Sequence, residues 1–292
     1  MEQAVAKQKY VKFDVSLWLT DINTTEIGIY QQDRYRAKSR QFTKDMDILG
    51  EVKEDGKRVG LVAYRKGAWK KETGMKRRMV IKLFTDEVNW RGTMDLLLGR
   101  SMQLTHGSRG FPVTSYSVNL SNHEQIIQVE RSAYKWWFQP EFYSFFILKE
   151  GVPKFYRLRR CWINIGDDYV LYDDKGKKVG KLNGRVLNLG GKWKCWVKAE
   201  HCDTQLKYVL QMFCTMLRFN QEAQWHVQDL VDDMAKGKLK DLKLESLETD
   251  LYMNPRGCVN SILHCNLAFR RYPEIHFKGV LWIMFFLKLS IC

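Results

Sequence analysis

Residues 203–219 constrain this chain's fold more than any other stretch. Read as a helix, their polar side chains Thr204, Lys207, Gln211, Thr215 and Arg218 recur in steps of three and four. At ~100° per residue they share one stripe about 80° wide. Leu206, Val209, Leu210, Met212, Phe213, Met216, Leu217 and Phe219 cover the rest of the cylinder. A helix apolar over that much of its circumference has to be surrounded by protein rather than laid on a surface. At ~25 Å it is short for a bilayer span, and Lys207 and Arg218 count against one. Asp203 suits the N-cap, where its carboxylate can accept a first-turn N–H.

The stretch before this helix supplies candidate walls. Turn signals at Gly166, Asp167 and Asp168, at 173–176, at Asn183 and Gly184, and at Gly190 and Gly191 recur about every eight residues, the spacing of a meander. Between them the sequence predicts strands at 160–165, 169–172, 178–182, 185–189 and 192–198. Residues 12–20 alternate, with Phe13, Val15, Leu17 and Leu19 on one face, as a half-buried strand does. Residues 26–30 can form another short strand, and 48–64 read as a hairpin turning at Glu54, Asp55 and Gly56. Met94, Leu97, Leu98 and Met102 predict a helix over 93–103. The aromatic run 134–148, interrupted by Pro140, predicts two buried strands or one with a corner. Val227, Leu230, Val231 and Met234 mark an amphipathic helix stopped near Gly237. Beyond Pro255, Arg256 and Gly257 the tail 257–292 differs in character and holds the apolar run 280–287, which is too short to span a bilayer.

The chain has a formal net charge of +15, which favours anionic partners: nucleic acid, an anionic membrane face or an acidic protein. Seven cysteines without framework spacing, and an N-terminal stretch without an apolar h-region, point to a reducing, cytoplasmic setting rather than secretion. Residues 54–60 echo 174–180 at a turn. Either an internal duplication or the chance recurrence of Asp-Gly turns beside lysine accounts for that.

An evenly spaced meander ending in Tyr169, Val170, Leu171, Tyr172, the turn Asp173 to Gly176, Val179, Gly180 and Leu182, then a nearly all-apolar helix opened by Asp203, resembles the tubby C-terminal-like superfamily. That superfamily includes the LURP-one-related proteins and the phospholipid scramblases, and the resemblance covers roughly residues 155–219. It implies a closed barrel of about twelve strands threaded by a hydrophobic helix, and a tendency to bind lipid head groups at membranes. The expected fold is therefore mainly β (α+β): a closed or near-closed antiparallel barrel around the 203–219 helix, with one or two peripheral amphipathic helices. Residues 1–256 would form one domain, with 257–292 as its tail.

Arg34, Arg36, Lys38 and Arg40 stand at strict period two, so on a strand they share one face about 7 Å apart, within reach of successive phosphates. Arginine can engage phosphate bidentately. A solvated edge strand guarded by charge is the competing reading. The run holding Lys70, Lys71, Lys76, Arg77 and Arg78 is a second basic candidate or a charged loop, and alternation divides a third patch, Lys154, Arg157, Arg159 and Arg160, between faces. Thr105 to Gly110 imitates a nucleophile elbow but has His106 where the elbow needs glycine. The spacing of His201, Cys202 and Asp203 fits no standard zinc pattern, and Asp167, Asp168, Asp173 and Asp174 belong at turns on conformational grounds. No nucleotide-cradling glycine motif occurs. These features predict a non-enzymatic module, without metal or cofactor, that binds anionic lipid head groups at a membrane surface. Nucleic-acid binding is the alternative, and an enzyme without a recognisable motif the second.

Overall fold

The computed structural model describes residues 10–18, 41–43, 45–108, 111–133, 140–162, 167–184 and 191–239. All of these belong to one compact unit, Met1–Glu248. Twelve antiparallel strands close into a barrel in which each strand neighbours the next in sequence and β1 meets β12. The strands are β1 (Tyr10–Leu17), β2 (Met46–Glu54), β3 (Lys57–Arg65), β4 (Val80–Thr85), β5 (Trp90–Leu96), β6 (Ser115–Leu120), β7 (Ile127–Arg131), β8 (Phe142–Lys149), β9 (Val152–Arg160), β10 (Tyr169–Asp173), β11 (Lys178–Gly184) and β12 (Lys192–Lys198). Helix α1 (Leu98–Gly107) follows β5, and α2 (Thr204–Leu217) and α3 (Asn220–Ala235) follow β12.

Alternation decides which side of each strand faces in. On β12, Trp193, Cys195 and Val197 are buried while Lys192, Lys194, Trp196 and Lys198 point outward. All twelve strands contribute to one core that also holds α2, from Phe13 and Val15 on β1 to Cys195 and Val197 on β12. Asp203 caps α2 as expected, its Oδ1 accepting the Leu206 N–H at 2.8 Å. The helix then runs along the barrel axis, with Leu206, Val209, Leu210, Met212 and Phe213 fully buried. The middle of its polar stripe is enclosed too, while Thr204 and Arg218 at its ends are exposed. Gln211 is 2% exposed and Thr215 0%, and the Thr215 hydroxyl donates to the Gln211 carbonyl at 3.2 Å. Closure leaves no solvent-facing side at mid-barrel. At the mouth where the helix enters, Lys207 reaches Glu54 Oε1 on the rim at 3.0 Å and Gln205 reaches His123 Nδ1 at 2.8 Å. Gly92 admits the helix: a Cβ there would lie 2.8 Å from Leu120 Cδ2 and 3.1 Å from Met212 Cε.

Several expectations shift. Residues 90–96 are β5, with Met94 facing the core, so the helix expected over 93–103 begins at Leu98. Met94, Leu98 and Met102 fit both periods, and pairing to β4 and β6 settled the choice. The strand expected over 160–165 ends at Arg160, where the Cys161 N–H donates to Asp168 O. Helix α3 starts at Asn220, ahead of its first expected apolar residue, after a turn through Arg218 and Phe219. The hairpin at 54–57 turns through Asp55 and Gly56 with φ of 48° and 79°, the left-handed pair that a two-residue turn requires. Its echo at 173–178 is a longer loop in which Asp173 Oδ1 accepts the Lys177 N–H. Two equal halves of a twelve-strand ring would match β3 with β9, whereas the echo matches it with β11. The strands expected at 26–30 and 185–189, the basic stripe at 34–40 and the tail 257–292 lie outside the described residues.

Candidate anion-binding surface

Strand register assembles a surface that no single stretch encodes. Across β8, β9, β10, β11, β12 and β1, the paired residues Phe142, Arg159, Val170, Lys181, Trp196 and Lys12 form one lateral row. The row alternates apolar and cationic side chains. A parallel row nearer the mouth where α2 enters carries Ser144, Arg157, Tyr172 and Lys178. On the other side Asn183, Lys194 and Asp14 align. Neighbouring strands lie about 4.8 Å apart and same-face residues about 7 Å, so the cations form a grid at phosphate spacing. Among the described residues of these six strands the acid on an outward position is Asp14, and Asp173, at the end of β10, pairs with the inward Tyr156. Lys181 Nζ also meets Asp168 Oδ2 at 3.4 Å, and Lys198 Nζ meets Glu200 at 3.9 Å. Partly exposed pairs of this kind are weak and yield to a stronger anion.

An open hollow of about 450 Å³ lies within this face, over β11 and β12. Lys178, Lys181 and Lys198 line it with Tyr10, Asn183 and Trp196. Three ammonium groups, an amide and two aromatic faces suit a phosphate-bearing group attached to a flat or apolar body.

The basic run after β3 is built differently. Residues Gly67–Lys71 and Gly74–Lys76 form short helical turns against α3 at the opposite mouth. The Arg77 guanidinium lies 4.1 Å over the buried Trp69 ring and 3.4 Å from Glu222 Oε2, which also accepts the Trp69 indole N–H at 3.2 Å. Lys70 reaches the same carboxylate at 3.7 Å. Arg78 is buried and ion-paired with Asp95, so it is withdrawn from any surface ligand. Lys71 and Lys76 stay exposed. Thus Arg77 and Arg78 hold a loop to the fold, Lys70 stays exposed in a weak pair, and Arg34, Arg36, Lys38 and Arg40 lie outside the described residues. In the third patch, Arg157 and Arg159 face outward while Arg160 pairs with Asp167 at 2.7 Å.

At that opposite mouth a buried carboxylate ties the barrel to α3. Glu141 pairs with Arg131 on β7, accepts from Tyr169 at 3.1 Å and from Gln224 at 3.1 Å, and lies 3.2 Å from the Tyr143 hydroxyl. That hydroxyl is shared with Asn220 Oδ1 at 2.7 Å. Burial pushes the Glu141 pKa up, but the Arg131 charge and hydrogen bonds from Arg131, Asn220 and Tyr169 more than reverse this, leaving it below the ordinary value. Burial raises Tyr143 and Tyr169 well above theirs, so both remain neutral donors. Arg131 also donates to the Pro112 carbonyl, so the cluster joins β7, β10 and α3 through one carboxylate and acts as a latch.

The remaining chemical candidates are also occupied structurally. The Ser108 hydroxyl donates to the carbonyl groups of Thr105 and Phe111, which ends α1. Asp203 is the α2 cap, and burial lifts the neighbouring Cys202 thiol to about 11. Asp168 accepts the Gly184 N–H at 2.9 Å. Among the described residues no group of three His, Cys, Asp or Glu side chains could hold a metal, and no helix is long and apolar enough to cross a membrane.

Fold and surface together define a closed antiparallel barrel with an enclosed helix and a cation-rich outer face. No family model, curated protein or solved structure matches the chain.

Proposed function

We propose that this protein is a non-enzymatic module that binds anionic lipid head groups at a membrane surface, through the outer face of β9, β11, β12 and β1. We propose as well a relation to the tubby C-terminal-like superfamily, a reading that a closed barrel holding a hydrophobic helix in its core supports. The observation that carries the binding reading is the lateral row in which Arg159, Lys181 and Lys12 alternate with Phe142, Val170 and Trp196. A bilayer interface offers phosphates and apolar depth at the same place, so both halves of that pattern find a partner. A duplex offers a phosphate ladder and rewards charge alone along its backbone. The aromatic faces of Tyr10 and Trp196 beside Lys198 support single-stranded nucleic acid as the second reading.

Co-sedimentation with phosphatidylcholine vesicles, with and without phosphatidylserine, tests the proposal. The protein should pellet with the anionic vesicles alone and resist competition by duplex DNA and single-stranded RNA. Each cation near an anionic membrane contributes about 1 kcal/mol and each anion opposes by a similar amount, so Lys181→Glu with Lys194→Glu should weaken binding by about 4 kcal/mol, on the order of a thousandfold. Unchanged binding by that folded variant refutes the assignment of this face. Arg34→Glu with Arg36→Glu and Lys71→Glu with Lys76→Glu then locate the contact. Displacement by either nucleic acid, with a steep salt dependence, transfers the surface to nucleic acid.

A further inference from the structure

The hairpin of β8 and β9 departs from the ring at its tip. The β8 ladder to β7 holds only Glu130↔Ser144 and Arg131↔Tyr143, and the β9 ladder to β10 stops at Asp173↔Tyr156. Beyond these, Phe146↔Phe155, Ile147↔Lys154, Leu148↔Pro153 and Lys149↔Val152 pair only with each other. The tip ends in a tight turn at Glu150 and Gly151, with φ of 52° and 79°. Its inner face is closed, since Phe145 and Ile147 are buried in the core and Phe145 stacks on Tyr156 at 5.7 Å.

Its outer face is open. Phe146 is 39% exposed, Leu148 42% and Phe155 54%, with the two phenyl rings 5.5 Å apart, and Val152, 59% exposed at the tip, stands opposite Lys149 on the other side of the hairpin. These are half of the eight large apolar side chains that stand exposed among the described residues, and they share one hairpin tip. Contiguous exposed apolar surface of this kind marks an interaction site.

The chemistry around the tip selects its occupant. Strand addition by a peptide needs a free edge, and both edges are blocked. The Gln125 side chain accepts the Leu148 N–H at 2.7 Å and donates to Phe146 O at 3.4 Å, while on β9 Pro153 has no N–H. Arg157 stands on the same face two residues from Phe155 and continues the cationic rows described above, while Lys149 and Lys154 edge the tip from the other side of the hairpin. An apolar wedge with a cationic collar matches an anionic bilayer, where the wedge enters the acyl boundary and the collar stays among the phosphates. We propose that the β8–β9 tip, through Phe146, Leu148, Val152 and Phe155, is the element of this protein that inserts into an anionic lipid bilayer. The barrel then docks with the mouth where α2 enters turned toward the membrane, because the β8–β9, β2–β3 and β10–β11 turns lie at that mouth. This inference rests on the lipid-surface reading and adds the depth and orientation of binding.

The test compares three proteins: wild type, Phe146→Ser with Phe155→Ser, and Val152→Asp, a substitution at the first residue of β9 that leaves both rings in place. Each is assayed for binding to phosphatidylcholine–phosphatidylserine vesicles, for penetration of a monolayer of that composition, and for binding of inorganic tripolyphosphate as a soluble probe of the cationic face. Both variants should bind vesicles roughly tenfold to a hundredfold more weakly, lose monolayer penetration, and bind tripolyphosphate as wild type does. Wild-type vesicle binding by the folded variants overturns the insertion and leaves the cationic-face reading standing. Wild-type protein that binds tripolyphosphate but no vesicle overturns both the insertion and the lipid assignment, and a protein partner then becomes the occupant to seek.

Discussion

Removing one charge from the Glu141–Arg131 pair should destabilise the fold far more than breaking an ion pair of similar chemistry at the surface. Glu141→Gln keeps the side-chain shape but leaves the Arg131 guanidinium, itself 7% exposed, without its counter-charge. An uncompensated buried charge costs about 3–5 kcal/mol. For a domain of this size that lowers Tm by roughly 6–20 °C, at about 2–4 °C per kcal/mol. The comparison pair is Arg160–Asp167, whose side chains are 41% and 46% exposed at 2.7 Å. Asp167→Asn should cost less than about 1 kcal/mol, because water screens both partners. Urea unfolding followed by tryptophan fluorescence measures both, and Arg131→Met with Glu141→Gln completes a double-mutant cycle. The pH dependence carries a sign. The folded pKa of Glu141 lies below its ordinary 4.5, so its stabilisation is complete above that value and is lost as pH falls through the folded pKa. The Glu141→Gln variant should therefore show a shallower acid limb than wild type. A cost below about 1 kcal/mol, or an unaltered acid limb, would refute the latch.

Two further predictions concern the barrel interior. Met212 is fully enclosed, so Met212→Lys should abolish cooperative folding and Met212→Ala should cost about 2–5 kcal/mol, whereas Lys207→Met at the rim should change stability by about 1 kcal/mol or less. Thermal melts of the three decide this, and equal tolerance would contradict an enclosed α2. Cys195 and Cys214 face each other across the β12–α2 contact at Sγ–Sγ 3.6 Å, and burial raises the Cys195 thiol well above its ordinary value. Both should resist iodoacetamide in the native state and react on unfolding, while the partly exposed Cys161 is modified ahead of them. Peptide mapping by mass spectrometry reads the order directly.

The enclosed helix was legible because its evidence is local. Asp203 caps the first turn, and steps of three and four place Leu206, Val209, Leu210 and Phe213 around one cylinder. Alternation likewise sorted Phe13, Val15, Cys195 and Val197 inward from their charged neighbours. Where two periods coincided, as at Met94, Leu98 and Met102, local evidence failed, and pairing to β4 and β6 decided. Arg77 and Arg78 read as surface charge because Trp69, Glu222 and Asp95, which engage them, lie on other elements. The same holds for Glu141, whose partners come from β7, β10 and α3. Residue spacing by itself determined which side of each element faces the core, since that depends on neighbours two to four positions away. Tertiary structure alone decided which strands adjoin and in what register. Hence only the closed barrel brings Arg159, Lys181 and Lys12 into one row and leaves Phe146 and Phe155 uncovered at a projecting tip.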